Sequence, residues 1–206
     1  MVKRSERRSP RGRAEEGVRT RARMVDAALQ MLIEEGYAGT SARVIAARGE
    51  FNPALVFYHY GGVDELLLAA LDKSSAERLE RYREAMSEPG SPDELVRRAA
   101  DLFRQDIEGG HVTAVTEMIG ASLSKPQLRS ELVTRMRPWL EFTQQLLERL
   151  LGDSPLAMLA PAAEPAAFAI VSGYLGLNML SRLMPDISQP EALFQLLEQV
   201  ARLAPA

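Results

Sequence analysis

The run from Thr40 to Tyr60, TSARVIAARGEFNPALVFYHY, constrains the fold more than any other stretch of this chain. Ser41 is a good N-cap, because its hydroxyl accepts from a backbone N–H that a helix leaves unpaired. Ala42, Ile45 and Ala46 then recur at helical spacing. Gly49 and Glu50 break that short helix. Asn52 is placed to cap a second one, with Pro53 at its first position, where a missing N–H costs nothing. Two short helices on a tight Gly-containing turn make a helix-turn-helix, whose second helix fits the DNA major groove. That second helix carries few charges and ends in Phe57-Tyr58-His59-Tyr60, which suits phosphate contacts better than solvation.

Charge is distributed to match. The net charge is −3 over 206 residues, yet the first 23 hold nine Lys/Arg against three acids. A polyanion would therefore dock at the N-terminal end. Residues 1–17 read as a disordered basic arm, with Arg11 and Arg13 among Ser, Pro and Gly. Such an arm is either a solvated tail or a segment that follows phosphates or enters a minor groove. The absence of cysteine excludes a disulfide framework and a thiolate zinc site. No apolar signal region follows the basic N-terminus, and the longest apolar stretch, Ala166 to Leu180, reads as too short to span a bilayer. A cytoplasmic protein with no membrane partner is expected.

The rest of the chain reads as helices. Val18, Ala22, Val25, Leu29 and Leu32 mark the first, and Gly36 ends it. Asp64-Glu65 suits the positive end of a long helix that runs through Leu66, Leu67, Leu71, Leu79, Tyr82 and Met86. Ser91-Pro92-Asp93-Glu94 is a capping box for a helix with Leu95, Ala99, Leu102, Phe103 and Ile107 inward. A short helix spans Val112 to Leu123. A long one follows, with Pro138 inside it and expected to kink it. The helix from about Ala166 to Leu183 is apolar nearly all round, so more than one side must be covered. The last helix begins at the capping box Ser188-Gln-Pro-Glu191. No strand alternation or repeat is present. The expected fold is all-α with about nine helices: an arm over 1–17, a helix-turn-helix domain over 18–65 and a larger helical domain over 66–206.

Between Arg21 and Leu71 the chain resembles, without gaps, the DNA-binding domain of the tetracycline-repressor (TetR) family. The resemblance is carried by Ala27-Ala28-Leu29, Gly36, Thr40-Ser41, Ile45-Ala46, Phe51-Asn52-Pro53, the Phe57–Tyr60 run and Asp64-Glu65-Leu66-Leu67. It implies a homodimeric regulator that binds a double-stranded DNA operator and answers to a small-molecule effector. On that reading DNA is contacted by Arg43, Asn52, Pro53, Ala54, Phe57, Tyr58 and His59, with Arg11 and Arg13 from the arm. Arg43 has the reach for a bidentate bond to guanine, and Asn52 could read adenine if its capping role leaves its oxygen free. Three positions depart from the family pattern. Phe57 stands where a tyrosine is common, Val63 where a lysine grips phosphate, and Glu50 where glycine fills the turn.

For the larger domain, Phe103, Met118, Met136, Trp139, Phe142, Tyr174 and Asn178 are candidates to line an apolar ligand pocket. Ala169, Gly173, Gly176, Leu193, Leu196, Leu197 and Val200, on the last two helices, are candidates for the dimer interface. No cofactor and no metal site are expected: His111 has no neighbouring His or Cys in the sequence. No nucleophile–base pair, carboxylate motif or phosphate loop supports catalysis. Two alternatives to a ligand-responsive repressor stay open: a DNA-binding architectural protein without an effector, and a helical enzyme.

Overall fold

Nine helices form among the described residues of the computed structural model, which describes residues 10–152, 161–184 and 189–202 but not the side chains of 10–15 and 189. They are α1 (Pro10–Gly39), α2 (Ala42–Arg48), α3 (Ala54–Tyr60), α4 (Val63–Ser87), α5 (Pro92–Glu108), α6 (His111–Ser122), α7 (Pro126–Gly152), α8 (Ala163–Leu183) and α9 (Gln189–Arg202). The chain divides into two compact units, the first ending at Lys73 and the second beginning at Ser74. The long helix α4 crosses that division.

In the first unit, Met24, Ala28 and Leu32 of α1 are fully buried, as are Ile45 of α2, Val56 of α3, and Leu66, Leu67 and Ala70 of α4. Each of the two short helices is held by few apolar anchors. Val56 alone fixes the inward face of α3, worth about 1.5–3 kcal/mol by burial. The burial of Leu66, Leu67, Ala70 and Leu71 also explains why this unit runs past residue 65 into α4. Gly36 breaks α1 at φ 69°, a left-handed backbone that glycine adopts without penalty.

The start of α1 corrects the expectation of a disordered arm over 1–17. From Pro10 onward the backbone is helical; residues 1–9 lie outside the described residues. Pro10 is tolerated in a first turn, and Arg, Ala and Glu that follow are strong helix formers, so propensity outweighs the charge pattern. Val18, expected inward, is 63% exposed.

In the second unit, α5 packs on α6 and α9, α6 on α7 and α8, and α7 on α8. Phe103, Val112, Ala114 and Met118 are at its centre. Phe103 meets Tyr174 edge-on at 5.2 Å and Phe194 at 5.3 Å. Pro138 lies within α7 without ending it. On α5 the inward register differs from expectation: Ile107 is exposed and Asp106 is fully buried in its place. The apolar helix α8 also differs. It continues through Glu164, Ser181 and Arg182 to 21 residues, long and apolar enough to cross a membrane by length and composition, a property shared by core helices of soluble proteins. Ser188, assigned to the last capping box, lies outside the described residues.

Candidate nucleic-acid interface and ligand cavity

The helix-turn-helix is built by local capping. Ser41 Oγ accepts from the Val44 amide at 3.3 Å, opening α2, and Asn52 Oδ1 accepts from the Ala54 amide at 2.9 Å, opening α3. Asn52 therefore spends its side-chain oxygen on the helix start, leaving its amide N–H groups for other partners. Between the helices Gly49 has ordinary helical-side dihedrals, and the left-handed residue is Glu50, at φ 52°. Gly49 is needed for space: a Cβ there would lie 2.5 Å from the Phe51 ring. The strain that glycine would relieve in this turn thus falls on Glu50.

The expected contact residues fall on the open side of these helices. Arg43, Asn52, Pro53 and Ala54 are exposed, Phe57 is 58% exposed and Tyr58 81%. His59 is half-buried and packs edge-on against Tyr58 at 4.8 Å. Arg43 makes no bond to a described carboxylate. Arg48, by contrast, is tied to Gln30 at 3.2 Å and Glu34 at 2.5 Å. Tyr60 is half-buried, and burial pushes its hydroxyl pKa up, with the nearby charge of Arg21 pulling the other way. Arg11 and Arg13 lie on helical backbone, but their side chains are outside what is described.

The second unit holds a partly open cavity of about 350 Å³, within the range of small-molecule sites. Met136, Trp139, Phe142 and Tyr174 line it, with Val112, Val115, Leu146, Ile170, Leu193 and Phe194 among the other apolar walls. Phe103, Met118 and Asn178, assigned to the same pocket from sequence, lie outside this lining. The first two are core, at 2% and 0% exposure. Asn178 is buried, and its Oδ1 finds no partner among the described residues.

Sequence reasoning missed the polar wall. Arg78 and Tyr82, one turn apart on α4, line the cavity and converge with Tyr174 on Asp106 behind it. Arg78 donates Nε to Asp106 Oδ1 at 2.8 Å and Nη2 to Oδ2. Tyr82 and Tyr174 donate to Oδ2 at 2.9 and 2.5 Å. Trp139 stacks beneath the Arg78 guanidinium at 4.7 Å and donates its Nε1 to Ser75 at 2.7 Å. Burial works to raise the Asp106 pKa; the hydrogen bond and charge of Arg78 and the two phenols outweigh it, so the carboxyl stays below its ordinary value. His111 Nδ1 lies 2.8 Å from Ser74 Oγ, and burial, followed by the charge of Arg78, lowers its pKa. Among the described residues no cluster of His, Cys, Asp and Glu could hold a metal.

Beside the cavity, α8 and α9 present an uncovered apolar face. Ala169 and Gly173 are exposed, and a Cβ on Gly173 or Gly176 would meet nothing within 4 Å. Leu196, Leu197 and Val200 are 55%, 43% and 58% exposed, and Phe168, Met179 and Leu183 are more than half exposed. Leu193 is half-buried and joins this face to the cavity.

Residues 24–70 match the family model described as bacterial regulatory proteins of the tetR family. An HTH-type transcriptional repressor of Mycobacterium tuberculosis is 33% identical over 156 residues, covering 74% of this chain and 74% of that protein. In structure, a TetR-family transcriptional regulator from a Rhodococcus species superposes with a TM-score of 0.70 at 19% identity, over 91% of this chain and 98% of the other. FadR of Bacillus subtilis, solved in complex with stearoyl-CoA, does so with a TM-score of 0.71 at 14% identity, over 90% and 99%. At such identities the two structures speak for the fold, while the repressor relative and the family model speak for descent. The chain belongs to the TetR family of DNA-binding, helix-turn-helix transcriptional regulators.

Proposed function

We propose that the protein is a homodimeric, ligand-responsive repressor of the cytoplasm, released from a palindromic operator by a small apolar effector. The observation that carries this reading is the presence in one chain of an open helix-turn-helix and an apolar cavity, with the single helix α4 contributing to both. Its first turns are core of the DNA-reading unit, and Arg78, Tyr82 and Met86 line the cavity. FadR of Bacillus subtilis, alike in fold, was solved in complex with stearoyl-CoA, which supports a small-molecule ligand for a chain of this fold. The uncovered face of α8 and α9 supports assembly with a second copy, because soluble chains rarely leave so continuous an apolar surface to water.

Two recognition helices in such a dimer would sit about 34–36 Å apart to enter successive major grooves. Arg43 would read a base edge, and Tyr58 and His59 would hold phosphate. An effector in the cavity weakens DNA binding only by its differential affinity for the DNA-competent and DNA-incompetent states. The test is reciprocal titration of an operator selected from a random duplex pool and a cavity-binding compound found by thermal shift. The compound should lower operator affinity, and operator should lower compound affinity by the same factor. Equal compound affinities with and without operator would remove the repressor reading while leaving DNA binding intact. The assembly is tested separately: Gly176→Leu, placed on the open face, should shift sedimentation from dimer to monomer.

A further inference from the structure

Among the described residues, the wall of the cavity is apolar except for Arg78, Tyr82, Trp139, Thr143 and Tyr174. The last four have their protons committed. Both phenols donate to Asp106 Oδ2, Trp139 donates to Ser75, and the Thr143 hydroxyl donates to the Trp139 carbonyl at 2.8 Å. Arg78 is different, because a guanidinium carries five N–H donors in a planar fork. Nε and Nη2 give one each to Asp106. The two of Nη1 and the second of Nη2 meet no acceptor among the described residues. Among those residues, the fully enclosed side-chain atoms without a partner are Arg135 Nε and Asn178 Oδ1. Nη1 is therefore unpaired without being sealed in, and the space open to this buried side chain is the cavity it lines. Trp139, stacked on the guanidinium at 4.7 Å, helps to fix the plane in which the free donors lie.

We infer that the cavity selects an uncharged, largely apolar molecule carrying a carbonyl group, whose oxygen accepts from the free end of the Arg78 guanidinium. This rests on the reading of the cavity as the effector site. A carbonyl oxygen has two lone pairs, enough for one N–H from each terminal nitrogen. Bonds from an ionised donor are about twice as strong as neutral ones. Neither the ion pair with Asp106 nor a phenol bond has to break. A carboxylate could use the same donors, but it would share one guanidinium with Asp106 and bring a second negative charge out of water beside it. Arg81, at 3.6 Å from Asp106, is exposed, so water screens what that cation could return. A hydrocarbon leaves the donors unpaired. The rest of the wall, from Val112 to Leu197, offers apolar contact to the remainder of the molecule.

Calorimetric titration of the full chain with two matched sets of probes tests this. One set is acetylnaphthalene, isopropenylnaphthalene and naphthoate; the other is methyl octyl ketone, its analogue with methylene in place of the carbonyl oxygen, and nonanoate. In each set that binds, the ketone should be tighter than the carboxylate. Arg78→Met/Asp106→Leu removes the donors and their counter-ion together. It should weaken the ketone about tenfold or more, a difference of about 1.4 kcal/mol, while leaving the alkene where it was. A ketone unmoved by the double variant, an alkene weakened as much as its ketone, or a carboxylate tighter than the ketone overturns the proposal. Should that variant fail to fold, the infrared carbonyl stretch of the ketone bound to wild type and to Tyr82→Phe decides. It should lie below its position in hexane in both proteins, and a hexane-like band in either overturns the assignment to Arg78. If no member of either set binds, the effector-site reading falls with it; binding that ignores the double variant sinks the carbonyl proposal alone.

Discussion

Asp106→Asn keeps the shape of the side chain and removes its charge, which isolates what the carboxylate does for Arg78. The Arg78 side chain is 5% exposed and that of Asp106 1%, so water cannot replace the lost partner. Removing one member of a buried ion pair costs about 3–5 kcal/mol. The Asn oxygen still accepts one bond, which places the expected loss near the lower end, about 3 kcal/mol. Against a domain stability of about 5–15 kcal/mol this is a large fraction. The double variant Arg78→Met/Asp106→Leu should recover most of the loss, because an apolar pair of similar volume is often neutral or better. The two phenols would still have each other at 2.9 Å. Urea unfolding followed by Trp139 reports on this unit directly: it is the only tryptophan, and it stacks on Arg78. Acid adds an independent check. The folded pKa of Asp106 is depressed, so its contribution is present above the ordinary aspartate range, about 4, and is lost as pH falls through the lower folded value. Asp106→Asn should flatten that acid limb. A loss below about 1 kcal/mol, an unchanged acid limb, or a double variant worse than the single would refute the reasoning.

Two further predictions concern the DNA-reading unit. Glu50→Gly should raise its melting temperature, because a left-handed backbone costs a non-glycine residue about 1–2 kcal/mol and part of that gain is offset by the greater freedom of an unfolded glycine; a drop in melting temperature would show that the Glu50 side chain makes up for its backbone. Arg43→Ala should relax preference at one operator position at a cost of about 1–3 kcal/mol, whereas His59→Ala should weaken all sequences similarly. Uniform loss across operator variants for Arg43→Ala would move that residue from base readout to phosphate contact.

The helix-turn-helix was legible because its signals are local. A capping serine, a glycine turn, an asparagine before a proline and an aromatic run each act within four residues, and their order fixes the pair of short helices. The turn was legible only in part. Glycine at 49 marks where the chain turns, but not that the left-handed backbone falls on Glu50 beside it, at φ 52°. The start of α1 went the other way: Arg-rich composition suggested an arm, but Arg, Ala and Glu are also helix formers. The polar wall of the cavity could not be read from spacing, because Arg78 sits in a run of charges that passes for a solvated face. One signal was available. Asp106 lies four residues after Leu102 and three after Phe103, on the inward face of α5, and an acid there needs a cation from elsewhere in the fold.

Gly173, Leu193 and Leu197 line the cavity while belonging to the face of α8 and α9 left open to solvent. These residues therefore stand where the cavity meets the solvent-open face. A substitution at Gly173 alters both surfaces together, whereas Gly176, which does not line the cavity, alters one. Comparing Leu at the two positions separates a change in subunit association from a change in cavity occupancy. It also measures how far the two equilibria are linked, since Gly173 borders both the cavity and the open face.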